Sequence, residues 1–189
     1  DEVQFVSEPM EEATTIAGPI AATLWASTTA LTINTPIHSL STDFFVTVAD
    51  QAPDGTLTYL QRGMLRASFR ALDEHRTKRN AAGEIIRPEH PFTHPEAVPP
   101  GRVAKYEIEV FPVAHVFRPG HRIVVKIHSP PLHESLYVYV PTWIPALNTI
   151  VHDTEHPSSL LLPVVKTPPL GPAPGCGELV AMRCVKPAG

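Results

Sequence analysis

The chain has 189 residues, 43% hydrophobic and 18% charged, with a formal net charge of −4; this balance supports one packed core and argues against wholesale disorder. It contains no basic stripe or polybasic block, which leaves nucleic-acid binding without electrostatic support, and no apolar run of the roughly 18 residues that a membrane helix needs, so no membrane partner is expected. The 22 prolines are spread along the chain, a distribution that suits many short strand connections and not a helical bundle.

In chain order, PIAATLWAST (19–28) is the first clear strand candidate. DFFVTVAD (43–50) alternates, with Phe44, Val46 and Val48 on one face and Phe45 and Thr47 on the other. Asp54-Gly55 then marks a hairpin turn, because glycine tolerates the positive φ that such turns need. LTYLQR (57–62) and MLRASFRAL (64–72) follow as strand candidates, and ALDEHRTKRNAAGE (71–84) is the best helical candidate, good for one or two turns. Residues 84–101, EIIRPEHPFTHPEAVPPG, predict a long Pro-rich irregular loop, of a length uncommon without a purpose. KYEIEV (105–110) should point Tyr106, Ile108 and Val110 inward and Lys105, Glu107 and Glu109 outward. In VFRPGHRIVVKI (116–127), Pro119 and Gly120 fit the central positions of a type II turn. The strand after that turn should set Ile123, Val125 and Ile127 against Arg122, Lys126 and His128. ESLYVYV (134–140), SSLLLPVV (158–165) and, beyond a Pro/Gly-rich connection at 167–177, GELVAMRCV (177–185) complete the series. Period two over nine or so short segments predicts half-buried antiparallel strands in two packed sheets, an all-β single domain over 1–189.

Chemistry-bearing motifs are scarce. HDTEH (152–156) and HPFTH (90–94) have the spacing of a zinc-protease helix, but Pro157, Pro91 and Pro95 argue against helix, and the glutamate of that motif would have to follow the first histidine directly, where Asp153 and Pro91 stand. No Gly-x-Ser-x-Gly elbow is present, and His152 and Asp153, being adjacent on extended chain, point to opposite faces. The expectation is therefore no catalytic residue, no metal site and no cofactor in this segment. Cys176 and Cys184 flank GELVAMR, which as an extended strand would hold them too far apart to bond, so two free thiols are expected. Among the aromatics, Trp25 is expected in the core, while Trp143 in VPTWIPAL is a candidate for exposure and a weak pointer to a sugar-binding platform.

Four stretches in order, VSEPM…IAGPIAATLWAST, STDFFVTVADQAPDGTLTYLQRGMLRASFR, PPGRVAKYEIEVFPVAHVFRPGHRIVVKIHS and NTIVHDTEHPSSLLLPVV, resemble the C-terminal domain of the X-prolyl dipeptidyl-peptidase and cocaine-esterase-like acyl hydrolases, from about Phe5 to Val165. The resemblance implies a jelly-roll β-sandwich similar to galactose-binding folds. It also implies that the domain packs on an α/β-hydrolase domain of the same chain, which carries the Ser-Asp-His triad. In that setting the sandwich helps wall the substrate cleft and contributes to a homodimer. His121 then opens a strand, its side chain satisfying a neighbouring loop's backbone, and has no catalytic duty. The chain starts at Asp1 with DEVQFVSEP, which leads to the expectation of an excised or processed segment. Phe92, Tyr137, Tyr139 and Trp143 are the expected docking or cleft-facing residues. The competing reading is a free-standing carbohydrate- or surface-binding sandwich.

Overall fold

The structure is a computed structural model that describes residues 2–31, 33–34, 39–129, 145–178 and 183–187, with the backbone alone at 33–34 and 39–40. Its strands are β1 (Glu2–Val6), β2 (Thr14–Thr28), β3 (Ile33–Asn34), β4 (Ser39–Leu40), β5 (Asp43–Gln51), β6 (Leu57–Arg66), β7 (Lys78–Arg79), β8 (Ile85–Arg87), β9 (Ala104–Phe117), β10 (Arg122–His128), β11 (Asn148–Val151), β12 (Ser159–Leu161), β13 (Val164–Val165) and β14 (Cys184–Val185). The hydrogen-bonded order is β1-β10-β5-β6-β9-β2-β11, with β12 and β13 also on β2 and β14 on β6. Every strand pairing is antiparallel. Between β6 and β9 the ladder shrinks to the single pair Gly63–Val110, and there the sheet folds over into two layers.

The core lies between those layers. Phe44, Val46 and Val48 of β5 and Leu60 and Leu65 of β6 meet Ile20, Ala22, Leu24 and Ala26 of β2 and Tyr106, Ile108 and Val110 of β9, with Ile123, Val125 and Ile127 packed against them. This is the β-sandwich that the alternation predicts, and the inward residues of β5, β9 and β10 are the expected ones.

The structure corrects several local expectations. β5 is buried on both faces, Phe45 and Thr47 included; on the outer face the His128 ring lies 5.7 Å from that of Phe45 and bonds the Thr47 hydroxyl at 2.9 Å. On β10, Val124 is fully buried on the face opposite the core-facing trio. Glu107 is also buried, where the Thr23 hydroxyl donates to Oε2 at 2.8 Å and Lys105 pairs with the carboxylate. LTYLQR and the first residues of MLRASFRAL form one strand, β6, which ends in a single 3-10 turn, Ala67–Phe69. No helix forms over 71–84. The Asp73 carbonyl accepts the Thr77 amide at 2.8 Å, and the β7–β8 hairpin follows, closed where the Asn80 amide donates to the Glu84 carbonyl at 2.9 Å. That turn claims the segment before a helical period can start. ESLYVYV lies outside the described residues.

Both predicted turns are present. The Gly55 amide donates to the Ala52 carbonyl at 2.9 Å, while Asp54 Oδ1 accepts the Thr56 amide at 2.9 Å, a bond that holds the Asp54 carboxyl below its usual pKa. At the other turn the His121 amide donates to the Arg118 carbonyl at 3.0 Å and Gly120 sits at φ +81°, a conformation that costs a side chain and suits glycine.

Cys176 and Cys184 are not free thiols: they form a disulfide, with Cα atoms 5.5 Å apart. The expected extended strand does not start at Gly177. The chain turns over Cys176–Glu178, where the Glu178 amide donates to the Gly175 carbonyl at 3.0 Å, and so brings the two cysteines within bonding reach.

Candidate docking face

One end of the sandwich gathers the ends of several strands and the long excursion at 84–101. Beneath it lies a hydrogen-bonded lattice, buried at Thr28, Ser41, Thr42 and Ser68 and open to solvent at Thr29, Glu96, Gly101 and Leu147. The Gly101 amide donates to the Thr28 carbonyl at 2.8 Å, and the Thr29 amide donates to the Leu147 carbonyl at 3.0 Å. Asn148 Nδ2 donates to Thr42 Oγ1 at 2.8 Å, the Ser41 and Ser68 hydroxyls meet at 3.2 Å, and the Glu96 amide reaches the Ser68 carbonyl at 2.7 Å. These bonds tie the end of β2 to the residues that precede β9 and β11. The excursion is anchored further by Val98, which inserts into the core, and by Arg70, which donates to the Ala97 carbonyl at 3.2 Å and pairs with Glu96 at 2.9 Å.

The segments that this lattice ties together carry large apolar side chains that face solvent: Leu31 (61% exposed), Phe92 (60%), Leu147 (69%) and Val103. Phe92 is unusual for a second reason. At φ +53° it is the one non-glycine residue with positive φ among the described residues, a backbone state that costs a bulky residue about 1 kcal/mol or more. Its ring packs edge-on against Phe69 at 5.8 Å and lies 5.7 Å from His90. His90 pins the loop, with Nδ1 3.0 Å from the Ala71 carbonyl and Nε2 2.8 Å from the Glu107 carbonyl. An exposed aromatic held in a strained conformation by a rigid loop is a pointer to function. Of the other expected docking residues, Tyr137, Tyr139 and Trp143 lie outside the described residues.

Under the same face two buried polar atoms have no hydrogen-bond partner, Tyr106 Oη and Asn148 Oδ1. Burial pushes the Tyr106 hydroxyl pKa up.

His121 belongs to the opposite end. Its Nδ1 lies 2.9 Å from Asp50 Oδ1, and His115 Nε2 lies 2.8 Å from Asp50 Oδ2, so one buried carboxylate bridges two imidazoles. The expectation of a structural role satisfied by a neighbouring loop's backbone needs correction in its partner: the His121 side chain bonds a carboxylate. The visible signal was Asp50 itself, a charge closing an apolar strand, and only the fold shows that two histidines meet it. Ser158 is structural too, its Oγ accepting the Trp25 amide at 2.9 Å and donating to the Val151 carbonyl at 2.5 Å. In HDTEH, Asp153 accepts the amides of Glu155 and His156 and is held below its usual pKa by the His156 amide. Among the described residues no cluster of His, Cys, Asp or Glu suits a metal ion. Trp25 is half-buried on the outer face of β2 and not in the core. His156 packs edge-on to it at 5.0 Å and Lys105 Nζ lies 6.0 Å over its ring.

Comparison with known proteins gives a consistent picture. The family model described as the X-Pro dipeptidyl-peptidase C-terminal non-catalytic domain matches residues 1–161. A Mycobacterium tuberculosis protein that carries the provisional name of a serine esterase is 26% identical over 164 residues, covering 86% of this chain and 24% of its own length. The cocaine esterase of a Rhodococcus strain is 23% identical over 176 residues, covering 88% of this chain and 26% of its own. A Staphylococcus aureus hydrolase of the CocE/NonD family superposes with a TM-score of 0.71 at 21% identity, over 87% of this chain and 30% of that one. The chain thus spans about a quarter of the length of the curated relatives it matches.

Proposed function

Because the chain belongs to the family of X-Pro dipeptidyl-peptidase C-terminal non-catalytic domains, we propose that it is the accessory sandwich of a serine hydrolase and docks on an α/β-hydrolase domain of the same longer chain. The docking face is the end that carries Phe92, Leu31, Val103 and Leu147; Tyr137, Tyr139 and Trp143, outside the described residues, are assigned to the same contact from the sequence alone. There the sandwich shapes one wall of the substrate cleft. The observation that carries this reading is Phe92, exposed and at positive φ on a loop that His90, Arg70 and Val98 hold in place.

The choice of occupant rests on proportion and on chemistry. The matched relatives bear esterase names and extend well beyond the region shared with this chain, so a catalytic domain is the partner that their length supplies. An apolar face of this kind, rimmed by the polar groups of its own loops, suits a permanent interdomain contact. Hydrogen exchange of segments 84–101 and 130–148, compared between this domain alone and the full-length hydrolase, tests the assignment. Protection that rises in the full-length protein is expected; equal exchange in the two would overturn the docking face.

A further inference from the structure

Beyond the family match, the chain turns back across the end of the sandwich opposite the docking face. The Thr167 hydroxyl donates to the Ala13 carbonyl at 2.9 Å, and Arg118 Nη2 donates to the Gly171 carbonyl at 2.8 Å. Past the turn at Cys176, β14 adds to β6 through two residue pairs among the described residues, Cys184–Thr58 and Val185–Leu57, and the Tyr59 amide donates to the Arg183 carbonyl at 2.8 Å. The disulfide ties these two stretches together. Under the strap lies a cavity of about 340 Å³ lined by Asp50, Thr58, His115, His121 and both cysteines. Asp50 is thus both the anchor of the two histidines and part of the cavity wall.

We propose that Cys176–Cys184 is a thiol-operated clasp whose reduction lifts β14 from β6 and opens the cavity that holds His115, Asp50 and His121. Cys176 is exposed, so a dithiol reductant can reach it. A thiolate of the reductant attacks the Cys176 sulfur, the Cys176–Cys184 bond breaks, and Cys184 leaves as a thiolate that takes up a proton. The second thiol of the reductant, as thiolate, then attacks the mixed disulfide and expels Cys176, which is protonated in turn. Two electrons have passed to the protein, and the reductant is left as a cyclic disulfide. A two-pair ladder contributes little by itself, and the cross-link is what keeps β14 close to the β6 edge.

The test uses the full-length protein as purified. Hydrogen exchange in the peptide covering Leu57–Gln61 is measured with and without dithiothreitol, and carbethoxylation of His115 and His121 is followed in parallel. With the cysteines eight positions apart, loop-closure entropy sets the expected acceleration at the Tyr59 amide, which bonds the Arg183 carbonyl, on the order of tens of fold. Both histidines should be modified faster, and the Cys176→Ser/Cys184→Ser variant should behave as the reduced protein without any reductant. Exchange at Tyr106–Val110 should stay unchanged. Unaltered exchange at 57–61 once both thiols titrate as free overturns the proposal. So does equal acceleration at 106–110, which would make the disulfide a general staple, and so does a protein that is purified with both thiols already free.

Discussion

A Cβ placed on Gly63 would lie 2.0 Å from the carbonyl oxygen of Glu109. The two layers of the sandwich meet at this contact, where β6 touches β9 through the single pair Gly63–Val110. The clash is with backbone, which cannot rotate away as a side chain can. Gly63→Ala should therefore cost about 3 kcal/mol or more, at the upper end of single substitutions. Urea denaturation checks this, with a fall in the midpoint at unchanged slope.

Asp50 should matter more than either histidine that it holds. Its loss leaves two ring N–H donors without their acceptor in a largely closed site, whereas the loss of His121 leaves Asp50 its bond to His115. Asp50→Ala is expected to cost about 2–4 kcal/mol and His121→Ala about 1–2 kcal/mol. Thermal melts of the two variants should rank in that order.

His128 makes stability depend on pH. Nδ1–H donates to the Ser129 carbonyl at 2.8 Å and Nε2 accepts from the Thr47 hydroxyl at 2.9 Å, an arrangement that the neutral ring satisfies. Burial lowers its pKa below the ordinary 6.5. As pH falls below that value the unfolded chain takes up the proton while the folded one resists, so stability declines with acidification and is unaffected by this group above it. The melting temperature of the native protein should therefore fall between pH 7 and pH 5 more steeply than that of His128→Gln.

Phe92 separates docking from stability. Phe92→Asn places a residue tolerant of positive φ at a strained position and removes an exposed ring. The isolated domain should gain about 0.5–1 kcal/mol. In the full-length hydrolase the same change should weaken the interdomain contact, read as faster exchange across 84–101. A domain that loses stability on this change would show that the ring serves its own fold.

Much of the fold was legible because alternation survives where one face of a strand meets the core. Tyr106, Ile108 and Val110 are all fully buried, as the pattern of KYEIEV requires. The pattern could not show that β5 is buried on both faces or that β10 buries Val124 opposite its core-facing trio, since Phe45 and Val124 gain that status from residues distant in sequence. Nor could it show the continuity of β2 through Gly18 and Pro19, where a register shift lets one strand serve β13 on one side of the irregularity and β12 and β11 on the other. The helical reading of 71–84 failed because side-chain and backbone bonds at Asp73 and Asn80 compete with a helix. The disulfide was hidden by a turn inside a segment with strand composition. In the proposed docking face, Phe92 could be picked out as an unneeded aromatic in a long loop, but Leu31, Val103 and Leu147 could not, because their exposure is set by the fold.

The pairing of β2 also sets the timing of folding on the ribosome. Its partners are β9, β11, β12 and β13, and Ala26 meets Ala104 at the near end of β9. β2 therefore leaves the exit tunnel long before any strand that can cover it has been made. Ribosomes add about 5–20 residues per second, so this apolar fifteen-residue strand stays without a partner for seconds. β5 and β6, joined by the Asp54-Gly55 turn, can pair meanwhile. The second layer assembles only when β9 arrives, and until then β2 is the segment of the nascent chain that a chaperone would hold.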